Sequence, residues 1–142
     1  MEFKKSIRKR RIGVVITFLS LLCAVSIFEY GKTGQWNIIL QIAGIISLIT
    51  FLVSVGITFY KTGLWKFTHK PIEKLDEREI ALTSKSLRYA YAIFTVIVLL
   101  LLLSFSLIEK PINVVLVASL IIFAHILPAS IIAWTEENFE NE

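Results

Sequence analysis

The sequence has little of the chemistry that marks a redox protein or a soluble enzyme. It contains one cysteine, Cys23, which excludes an intramolecular disulfide and every zinc or redox site that needs several thiols. It has no HExxH motif, no glycine-rich phosphate loop, no Ser/His/Asp set and no paired aspartates within its apolar stretches. We therefore predict a chain that is not an enzyme and that has no cofactor or metal site.

Charge is almost missing from four long stretches, which cover residues 12–30, 36–60, 89–108 and 112–134. The chain is 56% hydrophobic, compared with about 45–50% in soluble domains. About 20 apolar residues in a helix are enough to cross a hydrocarbon core of about 30 Å. The pattern predicts one all-α integral membrane domain over residues 1–142, with four transmembrane helices arranged as two antiparallel hairpins.

The first apolar stretch follows a basic start, so it has two interpretations. It resembles a signal peptide in that Ala24-Val25-Ser26 offers small residues for cleavage. However, the apolar run from Ile12 to Phe28 is longer than the about 7–15 residues typical of such a segment. We expect it to be retained as the first span, and the sequence leaves cleavage open.

Lysine and arginine are distributed unevenly around the four stretches. Six precede the first stretch and seven lie within residues 61–88, whereas the other two links hold one each, Lys32 and Lys110. This bias predicts a protein of the cell membrane in which both termini and the 61–88 connector face the cytoplasm. The acidic tail after Thr135 does not oppose this topology, because acidic residues contribute little to the rule. The net charge of +4 lies at membrane edges, so the expected contact is the lipid bilayer and not nucleic acid.

The 61–88 connector carries a signal for the start of a helix. Asp76 and Glu79 have the spacing of a capping box, which predicts a helix that begins near residue 76 and continues into the third span. Arg78, Lys85 and Arg88 form a basic edge of this helix, a candidate contact for anionic lipid headgroups or for a membrane or cytoplasmic protein. The alternative is a solvated basic loop that only determines topology.

His125 is the ionisable side chain that lies well inside an apolar stretch, and such groups are candidates for function. It shares a helical stripe with Ala129 and Ala133, so we expect it to face inward. Pro128 removes a backbone donor three residues later and favours a kink. This intramembrane polar site could move a proton or bind a substrate. Alternatively, the imidazole only bonds a neighbouring helix. His69 is expected to be solvated, with no second ligand nearby.

Small residues recur at helical spacing in the first two spans. Such stripes permit close approach of two backbones in a bilayer, and we expect these two to face each other or the interior of the protein. Their members are Gly13, Thr17, Ser20 and Ala24 in the first span, and Ala43, Ser47, Thr50, Ser54 and Thr58 in the second.

The two halves of the sequence share marks that have two interpretations. Glu29 and Glu109 end the first helix of each predicted hairpin, and Asn37 and Asn113 come early in the second helix. The matches are those of a duplicated hairpin. They are equally those of two unrelated hairpins in one bilayer.

The basic start, the L-D-E-R-E element at Leu75–Glu79 and the tyrosine-rich entry to the third span resemble uncharacterised families of small prokaryotic four-span membrane proteins. The resemblance implies a four-span layout and brings no activity. Small multidrug resistance transporters are excluded, because they carry a glutamate in the middle of the first span, where Thr17–Leu21 has no carboxylate.

Two functional hypotheses follow from these features. The first is a non-enzymatic accessory, regulatory or immunity-type component that acts through helix and connector contacts. The alternative is a small transporter or channel, formed as a homo-oligomer around His125 and Pro128.

Overall fold

The computed structural model describes residues 2–135, without the side chains of residues 2–6, 35 and 72. Within that range the chain is helical and has no strand, which confirms the all-α prediction. The acidic tail, residues 136–142, and the side chains of Lys4 and Lys5 lie outside the described part. The main helices are α1 (Glu2–Tyr30), α2 (Ile38–Val55), α3 (Leu64–Thr68), α4 (Glu77–Leu107) and α5 (Val114–Thr135).

Short π-helical or 3-10 turns flank three of these helices. Five-residue π-helical turns follow α1 at Gly31–Gln35 and α2 at Gly56–Tyr60, and a 3-10 turn at Ile72–Lys74 precedes α4. Gly34 leaves the helical region with φ of 86°, a left-handed conformation that glycine adopts without a steric penalty. This residue ends the first long helix and allows the chain to turn back towards α2.

Four helical segments are long and apolar enough to cross a membrane, judged by length and composition. They are Ile7–Gly34, Ile38–Tyr60, Glu77–Leu107 and Val114–Thr135, and their most apolar windows have mean hydropathies of 2.3 to 2.5. The prediction of a multi-pass helical membrane protein is therefore confirmed at this coarse level. The first and third segments reach further into their charged flanks than the apolar stretches alone indicated.

Asparagine side chains determine where two of these helices begin. Asn37 Oδ1 accepts a hydrogen bond of 2.9 Å from the Leu40 amide, and Asn113 Oδ1 accepts one of 3.0 Å from the Leu116 amide. The first amides of a helix have no partner within the helix, so a side-chain acceptor there stabilises its start. Cap chemistry thus accounts for the matched asparagines of the two halves without requiring a duplication.

The chain divides into two compact units, of which the first ends at residue 63 and the second begins at residue 64. In the first unit α1 packs against α2 through small polar side chains. Thr17 Oγ1 lies 2.7 Å from Ser54 Oγ, and the Ser54 hydroxyl is also 3.1 Å from the Gly13 carbonyl oxygen. Thr17, Ser54 and Thr58 are buried here, whereas Thr50 of the same predicted stripe is exposed.

The core of the second unit is the carboxyl half of α5, and both α3 and α4 contact this helix. Leu64 at the start of α3 is fully buried, and α4 contributes two buried residues, Ser86 and Ala90. The leucine-rich remainder of α4 has no buried residue, which gives it the surface expected of a helix in contact with lipid. The buried residues in the carboxyl half of α5 are Ile126, Leu127, Ala129, Ser130, Ile132 and Ala133.

Candidate functional site

The amino end of α4 is held by a capping box and an ion pair. Asp76 Oδ1 accepts from the Glu79 amide at 2.6 Å, and Glu79 Oε2 accepts from the Asp76 amide at 3.1 Å. Lys70 Nζ donates to both Glu79 carboxylate oxygens, at 3.0 and 2.7 Å. Glu79 lies in the polar first turn, ahead of the apolar run of α4. The bond from Lys70, followed by that from the Asp76 amide, holds the pKa of Glu79 below its ordinary value. These bonds tie the segment after α3 to the start of α4.

A shallow groove follows along one side of α4, and we call it the basic groove. Its volume is about 580 Å³ and its lining is Ala81, Ser84, Lys85, Arg88, Tyr89 and Ala92. Residues three and four apart share a helix face, and the small side chains among them leave the space. Lys85 and Arg88 are exposed and form no ion pair with any described residue. Arg78, the third predicted contact residue, is exposed two turns before Lys85 and does not line the groove.

A second cavity is formed where residues near the end of α3 meet α4 and α5, and we call it the histidine cavity. It has a volume of about 250 Å³. Its lining includes the predicted pair His125 and Pro128, together with His69, for which the sequence indicated no second ligand nearby. The remaining lining residues are Thr68, Thr83, Leu87 and Ala124.

Sequence reasoning missed this meeting of the two histidines, because a tertiary contact between distant segments leaves no local signal. The sequence does indicate a local contact of His69, because Trp65 precedes it by four residues, a spacing that places two rings on the same side of a helix. The Trp65 and His69 rings stack, with centroids 4.2 Å apart and planes inclined by 22°.

Backbone carbonyls orient both imidazole rings. His69 Nδ1 lies 2.9 Å from the Trp65 carbonyl oxygen, and His125 Nδ1 lies 3.0 Å from that of Ile121. A carbonyl oxygen only accepts, so each Nδ1 must carry the hydrogen. In the neutral ring the lone pair is then on Nε2, which remains available for a ligand.

Thr83 adds a hydroxyl group to the histidine cavity. Its Oγ1 atom is buried and has no hydrogen-bond partner among the described residues. The Thr68 hydroxyl differs, since it donates to the carbonyls of Leu64 and Trp65, each at 3.1 Å. A buried hydroxyl without a partner costs about 1–3 kcal/mol, so a polar occupant of the cavity would be stabilised by this group.

His125 is exposed, and the prediction that it faces inward is wrong. Ala129 and Ala133 of the same stripe are fully buried. Four residues advance a helix by about 400°, so each such step drifts by about 40° around the axis. His125 therefore lies about 80° from Ala133, at the edge of the buried face, where the histidine cavity opens.

The first unit has a larger groove of about 830 Å³ that is basic at one end and apolar along most of its length. Its charged end is formed by Lys9, Arg10 and Lys61, and Arg10 is only 5% exposed. Cationic side chains beside an apolar cleft attract anionic lipid headgroups at a membrane surface. Its branched aliphatic lining consists of Ile12, Ile16, Ile49, Val53 and Ile57.

No group of three or more His, Cys, Asp or Glu side chains within the described part of the chain is arranged to hold a metal ion. Cys23, the sole thiol of the sequence, is exposed on α1. The chain matches no protein-family model, no curated protein and no solved structure. The functional interpretation therefore depends on the chemistry of the basic groove and the histidine cavity.

Proposed function

We propose that this chain is a non-enzymatic accessory or regulatory protein of the cell membrane, which docks an acidic helical segment of a membrane partner on the basic groove of α4. The proposed topology has four spans in two antiparallel hairpins, with both termini and the connector in the cytoplasm. The distribution of lysine and arginine supports this topology. The L-D-E-R-E resemblance to small prokaryotic four-span proteins supports the same layout.

The length of α4 is the observation that carries this proposal. Its 31 residues extend about 46 Å, whereas the hydrocarbon core is about 30 Å thick. About three helical turns therefore remain outside the core. Because the leucine-rich run occupies the carboxyl half of α4, these turns are at its amino end, over about residues 77–87. They carry Ala81, Ser84 and Lys85 of the basic groove, and Arg88 and Tyr89 follow at the membrane boundary.

The composition of the basic groove indicates what it would bind. Ala81, Ser84 and Ala92 permit a second helix to approach the backbone closely. Lys85 and Arg88, which form no ion pair within residues 2–135, supply two cations beside that path. Their charge favours carboxylates on the partner and disfavours basic surfaces. The L-D-E-R-E cap holds the start of α4 in place, so the groove exists before a partner arrives.

Removing the two cations should weaken partner binding at least about tenfold, which corresponds to about 1.4 kcal/mol. The test is photocrosslinking from a reactive residue at position 84 in living cells, with the adduct identified by mass spectrometry. We expect a discrete adduct to an acidic segment of one membrane protein, and we expect Lys85→Gln/Arg88→Gln to remove it.

The matched control is Lys66→Gln/Lys74→Gln. Lys66 and Lys74 are exposed and do not line the groove, so this variant removes the same number of connector charges and changes the topology signal equally. The control should retain the adduct. An adduct that also survives in Lys85→Gln/Arg88→Gln, or an adduct to lipid alone, would contradict docking of a protein on this groove.

The histidine cavity favours a second candidate, an oligomeric transporter or channel built on His125 and Pro128. An exposed imidazole beside a proline within a spanning helix provides a titratable group where the helix lacks a backbone hydrogen bond. In proteoliposomes with a pH-sensitive dye, proton flux should be lost in His125→Ala and kept in Ser119→Ala. Proton flux in wild-type proteoliposomes that is no greater than in empty vesicles would contradict this candidate.

A further inference from the structure

We infer that the histidine cavity is a binding site for a divalent transition-metal ion of the Zn²⁺ class, held by Nε2 of His69 and Nε2 of His125. The inference does not depend on partner docking at the basic groove. It starts from the meeting of both histidines of the sequence in one cavity of about 250 Å³. Imidazole nitrogen is a preferred ligand for Zn²⁺, Cu²⁺ and Ni²⁺.

The protonation pattern of the two rings fits metal binding. A histidine that ligates a metal almost always donates its other ring N–H to a carbonyl or carboxylate, which fixes the tautomer and makes the ligating nitrogen more basic. His69 and His125 both make this bond through Nδ1, to the carbonyls of Trp65 and Ile121. In the neutral rings both lone pairs are then on Nε2, the nitrogen that would bind the ion.

The two ligands are also held on anchored segments. His69 stacks on Trp65 just after α3, and α3 begins with the fully buried Leu64. The Lys70–Glu79 ion pair fixes the next residue to the capped start of α4. Such preorganisation reduces the conformational entropy that binding would otherwise cost.

The rest of the cavity indicates what kind of site this is. The Thr83 hydroxyl oxygen has no partner in the described structure and is an additional oxygen donor for the ion or for its water. No carboxylate or thiolate of the described residues lines the cavity, so these ligands do not neutralise the charge of the ion. A Zn²⁺ site with open positions keeps water as a ligand. We therefore expect the bound ion to exchange with ions in solution, unlike the ion of a structural metal centre.

The first test is isothermal titration calorimetry with Zn²⁺ on the full chain in detergent, purified through a tag without histidine. We expect one ion per chain. His69→Gln and His125→Gln should each weaken binding by about 100-fold or more, since even the loss of a supporting hydrogen bond to a ligand costs about 10–100-fold. Cys23→Ser, which removes the sole thiol, should bind within about twofold of wild type.

The second test uses the wild-type chain, so it does not require a variant to fold. Loaded with one equivalent of Cu²⁺, the protein should show an electron paramagnetic resonance spectrum with coupling to two imidazole nitrogens. Unchanged Zn²⁺ affinity in both histidine variants, no binding by wild type, or coupling to fewer than two nitrogens would overturn the inference.

Discussion

Replacing Gly13 with alanine should lower the free energy of unfolding by about 1–3 kcal/mol, the usual effect of overpacking a tight contact. A Cβ atom at this position would overlap Thr58 Oγ1, and Thr58 Cγ2 would lie only 3.1 Å away. Thr58 is buried, and its branched side chain has few alternative rotamers in a helix. Helix α1 and the turn after α2 that carries Thr58 would have to move apart. This movement would lengthen the hydrogen bond between Thr17 and Ser54.

The matched control for this change lies in the same unit. Gly56 is helical and would place a Cβ where no atom lies within 4 Å. Gly56→Ala should therefore be neutral or stabilising by about 0.5–1 kcal/mol, because alanine suits a helix better than glycine. The measurement is unfolding in mixed micelles with increasing dodecyl sulfate, followed by circular dichroism.

A double variant adds a check on the cause. If the overlap with Thr58 is responsible, Gly13→Ala combined with Thr58→Ala should cost less than the sum of the two single changes. Equal effects of Gly13→Ala and Gly56→Ala, or strict additivity with Thr58→Ala, would contradict packing of α1 on α2 at this point.

Replacing Leu64 with alanine should destabilise the second unit by about 2–5 kcal/mol, the range for removing a buried leucine side chain. Leu64 is fully buried at the start of α3, the helix that contacts α5. The cavity left behind should loosen α3 and with it the stacked pair of Trp65 and His69. We therefore expect both a lower unfolding midpoint and a change in tryptophan fluorescence before global unfolding.

Leu107→Ala is the control, since it makes the same chemical change at a side chain that is 76% exposed. It should alter the free energy of unfolding by less than about 0.5 kcal/mol. Similar unfolding curves for Leu64→Ala and Leu107→Ala would show that α3 is not anchored by its first residue.

The helix cap and the small-residue contact could be predicted from the sequence, because both depend on local chemistry. The spacing of Asp76 and Glu79 predicts a cap because both hydrogen bonds lie within one turn, and the structure contains both bonds. The small-residue stripes could be predicted because close helix packing in lipid depends on side-chain size. Gly13, Thr17 and Ser54 lie at the contact between α1 and α2.

Features that depend on tertiary placement could not be obtained in this way. The approach of His69 to His125 requires α3 to pack on α5, and neither segment carries a pattern that specifies the other. The direction of His125 was also missed, because a stripe of four-residue steps drifts around the helix and the edge of the buried face depends on the neighbours. The Thr83 hydroxyl, which has no hydrogen-bond partner among residues 2–135, likewise becomes apparent only in the folded chain.

In the proposed topology four helices cross the membrane and the connector before α4 is cytoplasmic. Cysteine accessibility tests it directly, because Cys23→Ser removes the sole native thiol. Single cysteines are then placed by Thr33→Cys, Glu73→Cys and Lys110→Cys. A membrane-impermeant maleimide should label positions 33 and 110 in intact cells and position 73 only after the membrane is opened. Labelling of position 73 in intact cells, or equal labelling of all three positions, would contradict this topology.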